Sequence, residues 1–301
     1  GEADPAINPL ARAEMPALKA LLDGQALVRQ SAPLHNGRVS LLPLDASLGV
    51  EGLPQSATGQ ATLLTGLNIP AALGYHYGPK PNPPTAAFLG DTLFSRFAAS
   101  GMRAQFLNAY PPPYFQAVES GRRIYSSIPQ SAVNAGVRLC TAEDLFAGRA
   151  LSADLTAQGW REQLGFPQAP RLSAEQAGRR MAELAQEADF SFFEYWLSDY
   201  AGHRQDMPAS LEILHTLDEA LAGLLSAWED DEGLILITSD HGNLEDLSTR
   251  RHTGHPVPAL VIGSPRLRAA FTRDLDDLSQ VAPAICRLFG IDPPGPSQTG
   301  E

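Results

Sequence analysis

The chain has 301 residues, 44% hydrophobic and 19% charged, enough to bury a large core as one α/β domain or two modest ones. Its formal net charge of -12, with only 22 scattered Lys and Arg, argues against nucleic acid or an anionic membrane surface as a partner. Cys140 and Cys286 lie too far apart for a disulfide framework or a thiolate zinc motif, and no apolar run approaches the roughly 20 residues of a membrane span, so a cytoplasmic protein is the expectation.

The chain opens Gly1-Glu2-Ala3-Asp4-Pro5, with neither an initiator Met nor an apolar strand. Residues 39–44 form the first short apolar run between turn residues, the pattern of a strand buried on both faces. Ser56-Ala57-Thr58-Gly59-Gln60 then opens a helix of small and apolar residues. A helix N-terminus offers free N–H groups and positive potential, which favour a phosphate and an alkoxide, so Ser56 is a candidate nucleophile. Taken alone, Ser56 reads first as an ordinary N-cap.

Residues 85–100 read as one helix ending at Gly101, and 103–107 as a strand. From about 109 to 170 the chain turns rich in Pro, Gly and Ser, with weak helical and strand signals, and reads as an excursion or small cap. Residues 173–188 read as a helix with Ser173 and Gln176 as its capping box. The strand 190–197 runs out into Ser198-Asp199-Tyr200-Ala201-Gly202-His203, a carboxylate followed four residues later by an imidazole. Ligands of open α/β sheets bind at the carboxyl ends of strands, which is where this pair falls.

The leucines at 211, 214, 217, 221, 224 and 225 place one apolar stripe on a helix over about 208–228. A second strand, 233–238, ends in Ser239-Asp240-His241-Gly242-Asn243. The loop Arg251-His252-Thr253-Gly254-His255-Pro256 leads into a strand at 259–262, and 278–289 closes the chain as a short helix stopped by Gly290. Strands alternating with helices predict a doubly wound, mostly parallel sheet with helices on both faces, made of residues 1–108 and 171–301 around the 109–170 insertion.

The three motif segments supply two carboxylates and three or four imidazoles. That set suits zinc or manganese and is too nitrogen-rich for calcium. It is also too large for one tetrahedral ion with an open position, which points to two ions.

The ordered motifs resemble the alkaline phosphatase superfamily, and within it the branch of cofactor-independent phosphoglycerate mutase and phosphopentomutase. The resemblance runs from about Ser56 to Ile262. It implies that Asp199, His203 and His252 bind one divalent metal, Mn2+ or Zn2+. It implies that Asp240 and His241 bind a second, with Ser56 as bridging nucleophile. His252 rather than His255 matches the family ligand. Two departures stand out: the family's metal-binding Asp at the end of a first core strand has no counterpart before Val39, and the expectation is that it precedes Gly1. The 109–170 stretch is also short beside the mutases' inserted domain. The implied activity is phosphoryl transfer from a small phosphate ester through phosphoserine, by a hydrolase or mutase. Alternatives are a phosphodiesterase or sulfatase-type hydrolase, or a non-catalytic metal-binding relative. A sulfatase would need a Cys-x-Pro-Ser-Arg-like context in place of Ser56-Ala-Thr-Gly-Gln60.

Overall fold

The structure, a computed structural model, describes residues 1–295. Its strands are β1 (Leu34–His35), β2 (Val39–Leu44), β3 (Ala104–Phe106), β4 (Phe190–Phe192), β5 (Ile235–Ile237) and β6 (Val257–Ile262). They form two small sheets within a mixed α/β fold. One has four strands in the order β1-β2-β6-β5, and the other pairs β3 with β4.

The helix-covered α/β character matches expectation, but the mostly parallel sheet does not. Every pairing in the four-stranded sheet is antiparallel, and only β3 and β4 run parallel. The cause is the connection. A parallel neighbour needs a crossover, usually through a helix. The chain from β5 to β6 contains no helix, and turns back through the loops that carry His241 and His252. A wholly apolar run reports burial on both faces and says nothing about direction.

The pleat of β6 explains its composition. Leu260 and Ile262 face one side, packed with Leu214 and Leu221 of the helix Met207–Ser226. Val257, Ala259 and Val261 face the other, against Phe271, Leu278 and Val281 near the helix Val281–Phe289. Successive strand side chains alternate between faces, so helices on both sides demand an unbroken apolar run. Helix Met207–Ser226 also crosses helix Ala174–Ala185 at backbone contact: a Cβ on Gly178 would meet Ala220 O, and one on Gly223 would meet Glu175 O.

Several elements depart from their expected bounds. The 85–100 stretch is two helices, Pro83–Ala86 and Leu93–Ala99, the second restarted where Thr92 N–H donates to Ser95 Oγ at 2.8 Å. The closing helix starts at Val281, after a 3-10 turn over Leu278–Gln280. Residues 109–170 hold four short helices, Pro112–Glu119, Ser127–Asn134, Ala142–Phe146 and Gln158–Glu162. Phe146, Trp160 and Phe166 pack together among them. Helices this short bury too few periodic positions to announce themselves in sequence.

Both β4 and β5 lead toward the motif residues, yet each has a single hydrogen-bonded neighbour among the described strands. A cavity of about 360 Å3 lies beside them, lined in part by Gln60, Leu63, Leu214 and Leu217. Ser56, Glu194, Asp199, Asp240 and His241 also line it. No helix among the described residues is long and apolar enough to cross a membrane.

Candidate metal centre

Asp199 and His203 do not sit in a turn after a long strand. β4 ends at Phe192, and both residues lie on the helix Leu197–Arg204, Asp199 in its first turn and His203 in its last. Their spacing of four places both side chains on one helical face. A carboxylate at the N-terminal turn and an imidazole at the C-terminal turn also suit the helix dipole.

The loop before β6 brings His252 to this pair. His203 Nε2 lies 3.4 Å from Asp199 Oδ1, His252 Nε2 lies 3.6 Å from the same oxygen, and the two ring nitrogens are 3.2 Å apart. Each ring is fixed from behind. His203 Nδ1 lies 2.7 Å from Arg250 O, and His252 Nδ1 lies 2.7 Å from Pro54 O. A carbonyl only accepts, so Nδ1 carries a hydrogen in both rings, and in the neutral tautomer Nε2 presents a lone pair. Burial, then the neighbouring His241, hold the His252 imidazole below its ordinary pKa, which favours that neutral form.

The consequence is chemical. With both rings in that tautomer three lone-pair atoms converge, and Asp199 Oδ1 is buried with no hydrogen-bond partner. An unpartnered buried carboxylate oxygen is costly. Donors bound tetrahedrally at 2.0–2.1 Å stand about 3.4 Å apart, close to the spacing here. The donor set therefore fits a divalent cation such as zinc or manganese.

His241 adjoins this triangle. Its ring stacks on His252, centroids 3.7 Å apart at 13°, and one donor atom each from Asp199, His241 and His252 falls within 4.8 Å of the others. His241 Nε2 is 3.0 Å from Ser56 Oγ and 3.7 Å from Asp240 Oδ1. Ser56 is the first residue of the helix Ser56–Thr65, with Gln55 rather than Ser56 in the N-cap position. Gly59 lets that helix lie against the Asp240 backbone, since a Cβ there would come within 2.5 Å of Asp240 O. All six predicted site residues thus stand in one neighbourhood, with Asp240 the loosest of them.

His255 points elsewhere, its Nδ1 3.1 Å from Glu245 Oε1. Glu245 is one of two acids that sequence reasoning passed over. The other is Glu194, whose carboxyl accepts from Gln60 Nε2 at 3.3 Å. Asn108 clamps the Glu194 backbone, donating to its carbonyl and accepting from its N–H, both at 2.8 Å. Burial, then the Asp240 carboxylate, push Glu194 up to about 7, against the pull of Gln60. One signal for it was available: a single charge inside the apolar run Phe190-Ser-Phe-Phe-Glu194-Tyr-Trp.

Comparison with known proteins covers the segment that carries Asp199, His203, Asp240, His241 and His252. A family model described as the metalloenzyme superfamily matches residues 163–293. A 2,3-bisphosphoglycerate-independent phosphoglycerate mutase of Methylobacillus flagellatus is 33% identical over 142 residues, 44% of this chain and 27% of that protein. The enzyme of the same name from Legionella pneumophila is 30% identical over 141 residues, again 44% and 27%. The matched stretch thus spans about a quarter of the length of these relatives. Among solved structures, the alkaline phosphatase of the Antarctic bacterium TAB5 superposes with a TM-score of 0.52 at 11% identity, covering 93% of this chain and 95% of that one. At that identity the likeness is one of fold. Residues 163–293 thus match the metalloenzyme superfamily and are distantly similar to the 2,3-bisphosphoglycerate-independent mutases, and most of the chain has an alkaline-phosphatase-like fold.

Proposed function

We propose that the chain is a two-metal phosphoryl-transfer enzyme acting on a small phosphate ester through a phosphoserine at Ser56. The observation that carries this reading is the unpartnered Asp199 Oδ1 facing two imidazole lone pairs, with the Ser56–His241 pair alongside. Asp199, His203 and His252 would hold one divalent ion, and Asp240, His241 and Ser56 a second. When bound, the ions would supply positive charge against the phosphoryl oxygens and lower the pKa of the Ser56 hydroxyl.

The remaining steps belong to the chain. Ser56 opens its helix, so the free amides of that first turn are placed to bind phosphate oxygens. Ser56 Oγ attacks phosphorus in line, the P–O ester bond breaks, and the alcohol leaves with a proton. Water or an acceptor hydroxyl then attacks the phosphoserine and restores Ser56. Positioning and electrostatics account for most of the acceleration in such transfers. Residues 109–170 would act as a small cap on a core of 1–108 and 171–295, and so short a cap shields the intermediate little, which favours hydrolysis over mutase chemistry.

The test supplies Mn2+ or Zn2+ and an aryl phosphate to wild type and Ser56→Ala. Loss of turnover by about 10³-fold or more is expected, with the ion held by Asp199, His203 and His252 still bound. Equal turnover in the two proteins removes Ser56 as nucleophile, and a wild type that binds one ion or none favours a non-catalytic relative.

A further inference from the structure

Behind the histidines lies a buried carboxylate that the proposed metal centre does not use. Glu245 is 8% exposed and accepts three hydrogen bonds. Its Oε2 accepts from Asn243 N–H at 2.6 Å. Its Oε1 accepts from the Thr253 hydroxyl and from His255 Nδ1–H, the latter at 3.1 Å. Asn243 belongs to the turn that carries His241, whereas Thr253 and His255 belong to the loop that carries His252. One carboxylate therefore spans both ligand-bearing segments.

A backbone bridge reinforces the join, Thr253 N–H donating to Gly242 O at 3.0 Å. The fit leaves no room at residue 242: a Cβ there would run into Thr253 Oγ1 and come within 2.6 Å of Glu245 Oε1. His241 and His252 are the immediate neighbours of these bridged residues, and their rings stack at 3.7 Å. A shift of one loop against the other would slide one imidazole across the other.

We infer that Glu245 is a positioning residue that sets the spacing of His241 and His252, with Thr253 and His255 as its partners across the loop. The inference rests on the reading of those two histidines as metal ligands. It also gives His255 its place, as a donor to Glu245 facing away from the ligands. Glutamine cannot keep the same bonds: an amide offers one acceptor oxygen, so its NH2 would need the Thr253 hydroxyl or the His255 ring to switch from donor to acceptor.

Carboxylates and carbonyls that orient metal-binding histidines typically govern affinity by 10- to 100-fold. Calorimetric titration of Zn2+ alone into wild type and Glu245→Gln, well below both melting midpoints, should show a loss of that size. The Co2+-loaded proteins should differ in visible absorption, which reports ligand geometry directly. Thr253→Val removes only the hydroxyl donor and should lose affinity by several-fold, so it answers the question if Glu245→Gln fails to fold. A Glu245→Gln or Thr253→Val protein that melts earlier yet binds Zn2+ and absorbs like wild type overturns the positioning role and leaves the metal centre standing. A wild type that binds no Zn2+ overturns both.

Discussion

Asp199, His203 and His252 form a nearly regular triangle, 3.2 to 3.6 Å on each side, whereas Ser56, Asp240 and His241 touch at 3.0 Å on one side and only 3.7 Å on another. The difference lies in what stands behind each ring. His203 and His252 are each pinned 2.7 Å from a backbone carbonyl supplied by a distant segment, Arg250 O and Pro54 O. His241 Nδ1 reaches only its neighbour's carbonyl, Gly242 O, at 3.3 Å, and the ring takes its orientation from the stack on His252. A donor fixed from behind needs little rearrangement to bind, so the triangle is preorganised and the other half must be drawn together.

The largest effect should follow from breaking the tighter half. Removing a direct ligand, as in His252→Ala, should lower the affinity for the first Zn2+ by about 100-fold or more, since even indirect supports cost up to that much. His241→Ala should leave that first event within a few-fold and remove the second. Stepwise calorimetric titration separates the two events. Equal losses from both variants at the first event would mean that the halves do not differ as their geometry implies.

Part of this arrangement was legible before any coordinates. The strand at 39–44 matches residue for residue, because an apolar run between turn residues has few other uses. The helix Ala174–Ala185 starts at the Ser173–Gln176 capping box read from four letters. Asp199, His203, Asp240, His241 and His252 were legible because each follows or precedes an apolar run. Other features were not. Tyr195-Trp196-Leu197 reads by composition as strand, yet Leu197 starts a helix, because strand propensity reflects packing more than backbone preference. The direction of β6 is absent from its composition. Glu245 was invisible for a further reason: besides the nearby Asn243 N–H, its partners are Thr253 and His255 across a loop.

The junction between the halves can be strained directly. Gly202 lies between Asp199 and His203, and a Cβ there would collide with Asn243 Oδ1, in the turn that carries His241. Gly202→Ala must therefore displace the Asn243 side chain or push the helix Leu197–Arg204 away from that turn. Overpacking of this kind costs about 1–3 kcal/mol, readable as a lower urea midpoint at unchanged slope. The second ion should suffer more than the first, because the displacement separates the halves and leaves the helix's own Asp199–His203 pair intact. Unchanged stability would show that the turn yields freely, and the two halves would then be joined by the stacked rings and the Glu245 clamp alone.

The smallest effect sharpens the looser half. Glu194 is raised to about 7 by burial and by Asp240, so the folded protein holds its proton more tightly than the unfolded chain, where a glutamate titrates near 4.5. Its contribution to stability is therefore full below about pH 4.5 and is lost as the pH rises through about 7. Glu194→Gln stays neutral throughout. In metal-free protein, wild type should lose about 1–2 kcal/mol relative to the variant between pH 4.5 and 7.5, after allowance for its partial exposure. Urea unfolding at a series of pH values measures that difference, and parallel curves would rule out the raised Glu194 pKa that burial and Asp240 together produce. Removing the repulsion should also let Asp240 settle nearer His241.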